Sequence, residues 1–194
     1  MNKEFRLFLL ENADRGGRPA DSELFLRRAA SLYGISEPAL QAARICKSQA
    51  GKPYFDNLDI YFSVSHTDGL WACLMGPVNC GLDIQVIKPC NYLKIAGRFF
   101  SAAENAYVRS QGLEGFFALW TRREAAGKYS GRGFFADLPE LVQDGCPATT
   151  VCLPGGSELA FIDLDLSAGQ QKVSGTVCLP AANRRDWHEA YFFI

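Results

Sequence analysis

The feature that most limits the fold lies between Ile60 and Ile87. Three apolar, strand-like runs follow one another there: IYFSVS (60–65), LWACLMG (70–76) and NCGLDIQVI (79–87). The separators HTDG and GPV are tight turns. By pattern this is an antiparallel meander, and Pro89 ends it. Strand-like runs return near the end of the chain as TTVCLP, ELAFIDLDL, KVSGTVCLP and EAYFFI.

Helical patterns fill the space between. EFRLFLL (4–10) reads as a first strand, and NADRGGRP as a loop. DSELFLRRAASLYG then reads as a helix capped by Asp21 or Ser22. It carries Leu24, Phe25, Ala29 and Leu32 on one broad face and stops at Gly34. A short helix starts at Ser36, with Pro38 in its first turn. NYLKIAGRFF, SAAENAYVRSQG and LEGFFALWTRREAAGKYSG are three further helices. Ser101 and Glu104 supply the S-x-x-E capping box of the middle one. The expected class is therefore α+β, two similar halves each with an antiparallel sheet and packed helices: residues 1–90, and residues 91–194 carrying the long helix. SHTDGLWACLMG and SAGQQKVSGTVCLP, hairpin-like and late in their halves, hint at a duplicated unit.

Bulk properties exclude several classes. The 194 residues suit one large domain or two small halves. Apolar residues make up 48% and charged residues 21%, as in a globular protein. A net charge of −1 gives no global pull toward nucleic acid or an anionic membrane, so any anion site must be local. Seven cysteines, with no CxxC pair, argue against a zinc site or disulfide framework and for a reduced, cytoplasmic protein. The first apolar run is too short for a signal peptide core, and no window approaches the length of a membrane helix.

Five short stretches carry residues with chemical potential. In WTRREAAGKYSGRG, Trp120, Glu124 and Lys128 recur at four-residue spacing on one helical stripe. That stripe is either a surface ion pair beside a core tryptophan or one wall of a phosphate site. In GLDIQ, Asp83 interrupts an apolar strand and needs a partner: a turn, an arginine or a metal. Gln85 shares its face. In FSVSHTDG, Ser65 and His66 sit where a strand meets a turn. They can bind a phosphate or cap the turn. Opposite side-chain directions make them a poor nucleophile and base pair. In QAGKPYF, Lys52 projects from a bend. SGRG reads as a helix C-cap and turn, not a P-loop.

Taken together and in order, GKPYF, FSVSH, GLDIQ, RFFSAAE and WTRREAAGKYSGRGF resemble the 4′-phosphopantetheinyl transferases of the surfactin-synthetase-activating type, over about residues 18 to 135. The resemblance implies a monomer built as a pseudo-dimer of two α+β halves. Coenzyme A and Mg²⁺ would lie in the cleft between them. The reaction implied is transfer of the phosphopantetheine arm to a serine of an apo acyl or peptidyl carrier protein, with release of 3′,5′-ADP. Carried over, Asp83 and Glu124 are the metal ligands, and Glu124 is also the general base. Lys128 and Arg123 neutralise the pyrophosphate. Ser65 and His66 hold the 3′-phosphate region, Lys52 meets the nucleotide end, and Arg18 grips the 3′-phosphate. Glu104 matches the family's acidic residue after RFFS.

Three departures accompany the match. Gln85 stands where many relatives have a second metal carboxylate. Arg123 replaces the usual lysine. The basic stretch before the first helix is reduced to Arg15 and Arg18. These motivate an alternative, a weakly active or non-catalytic relative that binds coenzyme A or a carrier protein. Another Mg²⁺-dependent nucleotide enzyme on a ferredoxin-like scaffold is a third reading.

Overall fold

The computed structural model describes residues 4–11, 22–133 and 138–193. Arg15, Arg18 and the proposed Asp21 cap lie outside the described residues. In chain order the elements are β1 (Phe5–Glu11), α1 (Ser22–Tyr33), α2 (Glu37–Ala42), β2 (Ile45–Lys47), β3 (Pro53–Phe55), β4 (Tyr61–Thr67), β5 (Leu70–Gly76), β6 (Gly81–Val86), α3 (Tyr92–Phe99) and α4 (Ala102–Ser130). There follow β7 (Val142–Gln143), β8 (Cys146–Pro147), β9 (Thr150–Cys152), β10 (Glu158–Ala168), β11 (Gln171–Pro180), a 3₁₀ turn (Ala181–Asp186) and β12 (Trp187–Phe193). The protein is a mixed α+β structure.

Two four-stranded sheets form its centre, in the orders β12-β1-β5-β4 and β6-β11-β10-β9. They pack face to face. Alternate residues of β1 and β5 (Phe5, Leu7, Leu9, Leu70, Ala72, Leu74) meet Leu82, Ile84, Val86, Val173, Val177 and Leu179 in one buried cluster. The other face of the first sheet, with Phe8, Phe62, Trp71 and Met75, is covered by α1 and α2. The other face of the second, with Leu159, Phe161 and Cys178, is covered by α3 and α4. The layer order is therefore helices, sheet, sheet, helices, with part of the outer face of β10, at Asp163, Asp165 and Ser167, left exposed.

The hairpin expectations hold at β4–β5, paired Thr67 to Leu70, and at β10–β11, paired Ala168 to Gln171. The three-stranded meander does not. β6 leaves β5 and instead pairs antiparallel with β11, Leu82 opposite Val177 and Asp83 opposite Thr176. The strands thus do not sort at residue 90: β6 joins β9–β11, while β12 runs parallel beside β1.

The seam between the two sheets is built from side chains. Ser63, Ser65 and Thr67 project from one face of β4 at period two. Their hydroxyls accept from the backbone N–H of Leu82, Ile84 and Val86 at 3.0, 3.2 and 2.9 Å. The outer N–H groups of β6 are satisfied without a neighbouring strand carbonyl, as buried amides require.

The helices follow local chemistry closely. Ser36 stands at the N-cap of α2, with Pro38 in the first turn. The Ser101–Glu104 capping box is fully formed at the start of α4. The two helices expected over 101–131 are the arms of α4, bent at Gly112, whose φ of 68° is one that L side chains rarely adopt. Gly131 closes α4 in the left-handed conformation. The expected face of α1 needs correction. Leu24 and Leu32 are 61% and 50% exposed, while Leu26, Ala29, Ala30 and Tyr33 face the sheet. Rotation about the helix axis is set by the docking surface, here around Trp71 and Met75.

Candidate active site

Strand β6 enters the site at Gly81. A Cβ added there would lie 2.0 Å from the carbonyl oxygen of Ala125 and 2.9 Å from the Tyr129 nitrogen. Only glycine lets the strand run against the backbone of α4 at this depth. Thr121 pins the same helix: its hydroxyl lies 2.9 Å from that of Thr176 on β11 and 3.0 Å from the Phe117 carbonyl. Two residues beyond Gly81, and on the same face by alternation, Asp83 points at α4.

Asp83 is 3% exposed. Its Oδ1 accepts from the Ser65 hydroxyl and from Lys128 Nζ, each at 2.8 Å. Its Oδ2 is buried and has no hydrogen-bond partner among the described residues. Such an atom is costly unless something else completes it. Lys128 thus reaches across to the strand, so the surface i,i+4 pair with Glu124 is not what the spacing encodes. Glu124, one turn earlier, is half-buried. Burial raises its pKa, the neighbouring Asp83 charge raises it further, and Lys128 opposes both.

These groups line a cleft of about 490 Å³ that also includes Lys47, His66 and Gln85. The structure therefore brings Ser65, His66, Asp83, Glu124 and Lys128 together, from β4, β6 and α4. It does not bring Lys52 or Arg123 to them. Lys52 lies in a bend whose neighbours Gly51 and Pro53 touch the cleft, but its own side chain lines an adjoining cavity of about 650 Å³. Its Nζ donates to Asn79 Oδ1 at 2.5 Å and to the Cys80 carbonyl at 2.7 Å, and burial lowers its pKa. Asn79 in turn donates to the Tyr129 carbonyl at 2.8 Å, tying the bend to the end of α4.

Arg123 points away from the cleft. Its Nη2 donates to both oxygens of Glu104, at 3.0 and 2.7 Å, and its guanidinium lies 5.4 Å from the ring centre of Phe100. Successive helical residues differ by about 100° in direction, and here that offset turns Arg123 to Glu104 while Glu124 faces the cleft. Trp120 packs with Phe116 in the core beneath α3 and α4, as expected.

Sequence reasoning missed Gly81, Ser63 and Thr67. The signal for the hydroxyls was present, because Ser63, Ser65 and Thr67 alternate along one strand. Gly81 had only its place at the head of GLDIQ to mark it.

The donors at the cleft suit a hard cation. Two acidic side chains and the Gln85 amide oxygen are ligands of the kind Mg²⁺ takes, alongside water and substrate oxygens. The orphaned Oδ2 of Asp83 is the position a cation would satisfy. Among the described residues no group of three or more His, Cys, Asp or Glu side chains gathers to hold a metal without such outside ligands.

A sheet-paired aspartate faces a helix glutamate and lysine across the cleft. The chain belongs to the 4′-phosphopantetheinyl transferase superfamily, whose profile matches residues 79–175. It is 31% identical over 143 residues to a 4′-phosphopantetheinyl transferase of Bacillus subtilis, covering 69% of this chain and 61% of that protein. It is 35% identical over 130 residues to the transferase AcpT of Escherichia coli K12, covering 63% and 64%. To the transferase psf-1 of Bacillus pumilus it is 41% identical over 104 residues, covering 49% and 44%. The matched region thus spans about half to two thirds of these relatives' lengths. Among the described residues no helix is long and apolar enough to cross a membrane.

Proposed function

We propose that the protein transfers the 4′-phosphopantetheine arm of coenzyme A to a serine of an apo acyl or peptidyl carrier protein, with Mg²⁺, releasing 3′,5′-ADP. The observation that carries this reading is the Asp83 carboxylate. One oxygen is saturated by Ser65 and Lys128, the other is buried and without a partner among the described residues, and a glutamate of raised pKa stands beside it.

In this reading Asp83 and Glu124 hold the cation, with the Gln85 amide and water completing its shell. Bound there, it would neutralise the pyrophosphate of coenzyme A. Glu124 takes the proton of the carrier serine, whose oxygen forms a bond to the β-phosphorus. The bond from that phosphorus to the bridging oxygen breaks, and 3′,5′-ADP leaves with the electron pair. Lys128 neutralises charge on the departing phosphate. His66 and Lys47 line the same cleft and suit an anionic end of the substrate. The pseudo-dimer architecture with halves 1–90 and 91–194 belongs to the same proposal, with β6 and β12 each crossing that boundary to pair in the other half's sheet. Assignment to the surfactin-synthetase-activating type, a monomeric state and a cytoplasmic site are parts of the same proposal.

The test is intact-mass spectrometry of apo acyl and peptidyl carrier proteins mixed with the chain, coenzyme A and Mg²⁺, against an EDTA control. A carrier that gains the mass of one phosphopantetheine arm only with Mg²⁺ supports the reading. Coenzyme A binding without any gain on any carrier would favour the weakly active or non-catalytic relative that Gln85 suggests.

A further inference from the structure

We propose that Ser65 is a positioning residue for the Asp83 carboxylate: it holds Oδ1 so that Oδ2 is the oxygen left for the metal. The inference rests on the reading of Asp83 as a metal ligand. It departs from the expectation that Ser65 binds the 3′-phosphate of coenzyme A.

The geometry fixes what the hydroxyl can do. Ser65 is buried, and a hydroxyl has one proton. That proton goes to Asp83 Oδ1 at 2.8 Å. The same oxygen accepts from the Ile84 N–H at 3.2 Å. One hydroxyl therefore grips β6 twice, at the side chain of residue 83 and the backbone of residue 84. The carboxylate cannot turn about its last bond without breaking the first contact.

Lys128 is the other partner of Oδ1. When Lys128 serves the phosphates of the substrate, Ser65 is the donor that stays with Oδ1. Outer partners of this kind orient metal ligands, and their loss weakens metal affinity by about 10- to 100-fold. Ser63 and Thr67 provide an internal control. They make the same seam bonds, to Leu82 and Val86, and among the described residues no hydrogen bond joins either to the carboxylate.

The experiment is Mn²⁺ titration of the full chain, with free Mn²⁺ read by electron paramagnetic resonance. Mn²⁺ accepts the same carboxylate, amide and water ligands. Alongside it, coenzyme A affinity is measured by calorimetry in EDTA, and folding by thermal melting. Ser65→Ala is expected to weaken Mn²⁺ binding by about 10- to 100-fold while coenzyme A affinity in EDTA is unchanged. Ser63→Ala is expected to lower the melting temperature similarly but to keep wild-type Mn²⁺ affinity. Ser65→Thr is expected to restore Mn²⁺ binding. If Ser65→Ala does not fold, Ser65→Cys replaces it, because a thiol is a weak donor, and its loss should fall between those of Ala and Thr.

The proposal is overturned if Ser65→Ala binds Mn²⁺ as wild type does. It is also overturned if Ser63→Ala loses as much affinity, or if coenzyme A binding in EDTA falls instead. A wild-type chain that takes up no Mn²⁺, with or without coenzyme A, overturns the metal reading itself. The other failures leave that reading standing.

Discussion

Helix α4 contributes the cations, Arg123 and Lys128, of two ion pairs to buried acids a little over one turn apart, and they differ in how completely the acid is used. Glu104 is fully buried, and every partner it could want is present. Ser101 N–H donates to it at 2.8 Å, Leu141 N–H at 2.9 Å, and Arg123 to both oxygens. Asp83 is nearly as deeply set, but one oxygen accepts two hydrogen bonds and the other has no partner among the described residues. The acid of the first pair is saturated, although Arg123 Nε is buried without a partner among the described residues, and the pair joins the start of α4, its later turns and the β7 segment. The second is open at the cleft. A saturated buried charge holds structure together, whereas an unsaturated one is a place for a ligand.

The largest expected effect breaks the open side. Glu124→Gln should lower the turnover of the proposed transfer by about 10²- to 10⁴-fold, with the melting temperature held. Turnover near wild type at equal stability would remove Glu124 from the chemistry. The closed side should answer in the opposite way. Glu104→Ala leaves Arg123 charged and buried, and should cost about 3–5 kcal/mol in urea unfolding. A folded, fully stable variant without turnover would erase the distinction between the pairs.

Gly81→Ala lies between the two. The added methyl must displace the Ala125 carbonyl, at an expected cost of about 1–3 kcal/mol, and it should also weaken Mn²⁺ binding by separating Asp83 from α4. Unchanged stability and metal affinity would show that the strand can shift freely. The smallest effect is a pH slope. The folded state raises the Glu124 pKa, so in EDTA it binds more protons than the unfolded state just above the ordinary glutamate value. Its contribution to stability is most favourable below that value and should fall as pH rises through the window. Urea midpoints measured across this window should show a shallower fall for Glu124→Gln, and identical slopes would contradict the raised pKa.

Much of the local structure was legible, because caps and periodicity are local. Pro38, the Ser101–Glu104 box, Gly131 and the two hairpins all sit where the pattern put them. Pairings distant in sequence were not legible. Alternation in GLDIQ shows that Asp83 and Gln85 share a face, but not that β11 rather than β5 lies alongside. The same limit misplaced Arg123: its charge suited a phosphate, and only the folded position of Glu104 reveals its partner. Leu24 and Leu32 misled for a related reason, since several apolar stripes are available on α1 and the sheet selects one. Lys52 was read as a projecting turn residue, yet the carbonyl of Cys80 and the amide of Asn79 draw it inward.

The hydroxyl seam has a consequence for how this architecture can vary. Within a sheet, strand pairing is carried by the main chain, so nearly any residue but proline preserves it. Between β4 and β6 the joint is carried by three side chains. It is therefore heritable position by position: a single serine-to-alanine change deletes one rung and leaves both sheets intact. The grip of one sheet on the other at this edge, and with it the position of β6 in the cleft, is open to gradual adjustment by mutation in a way that the sheets themselves are not.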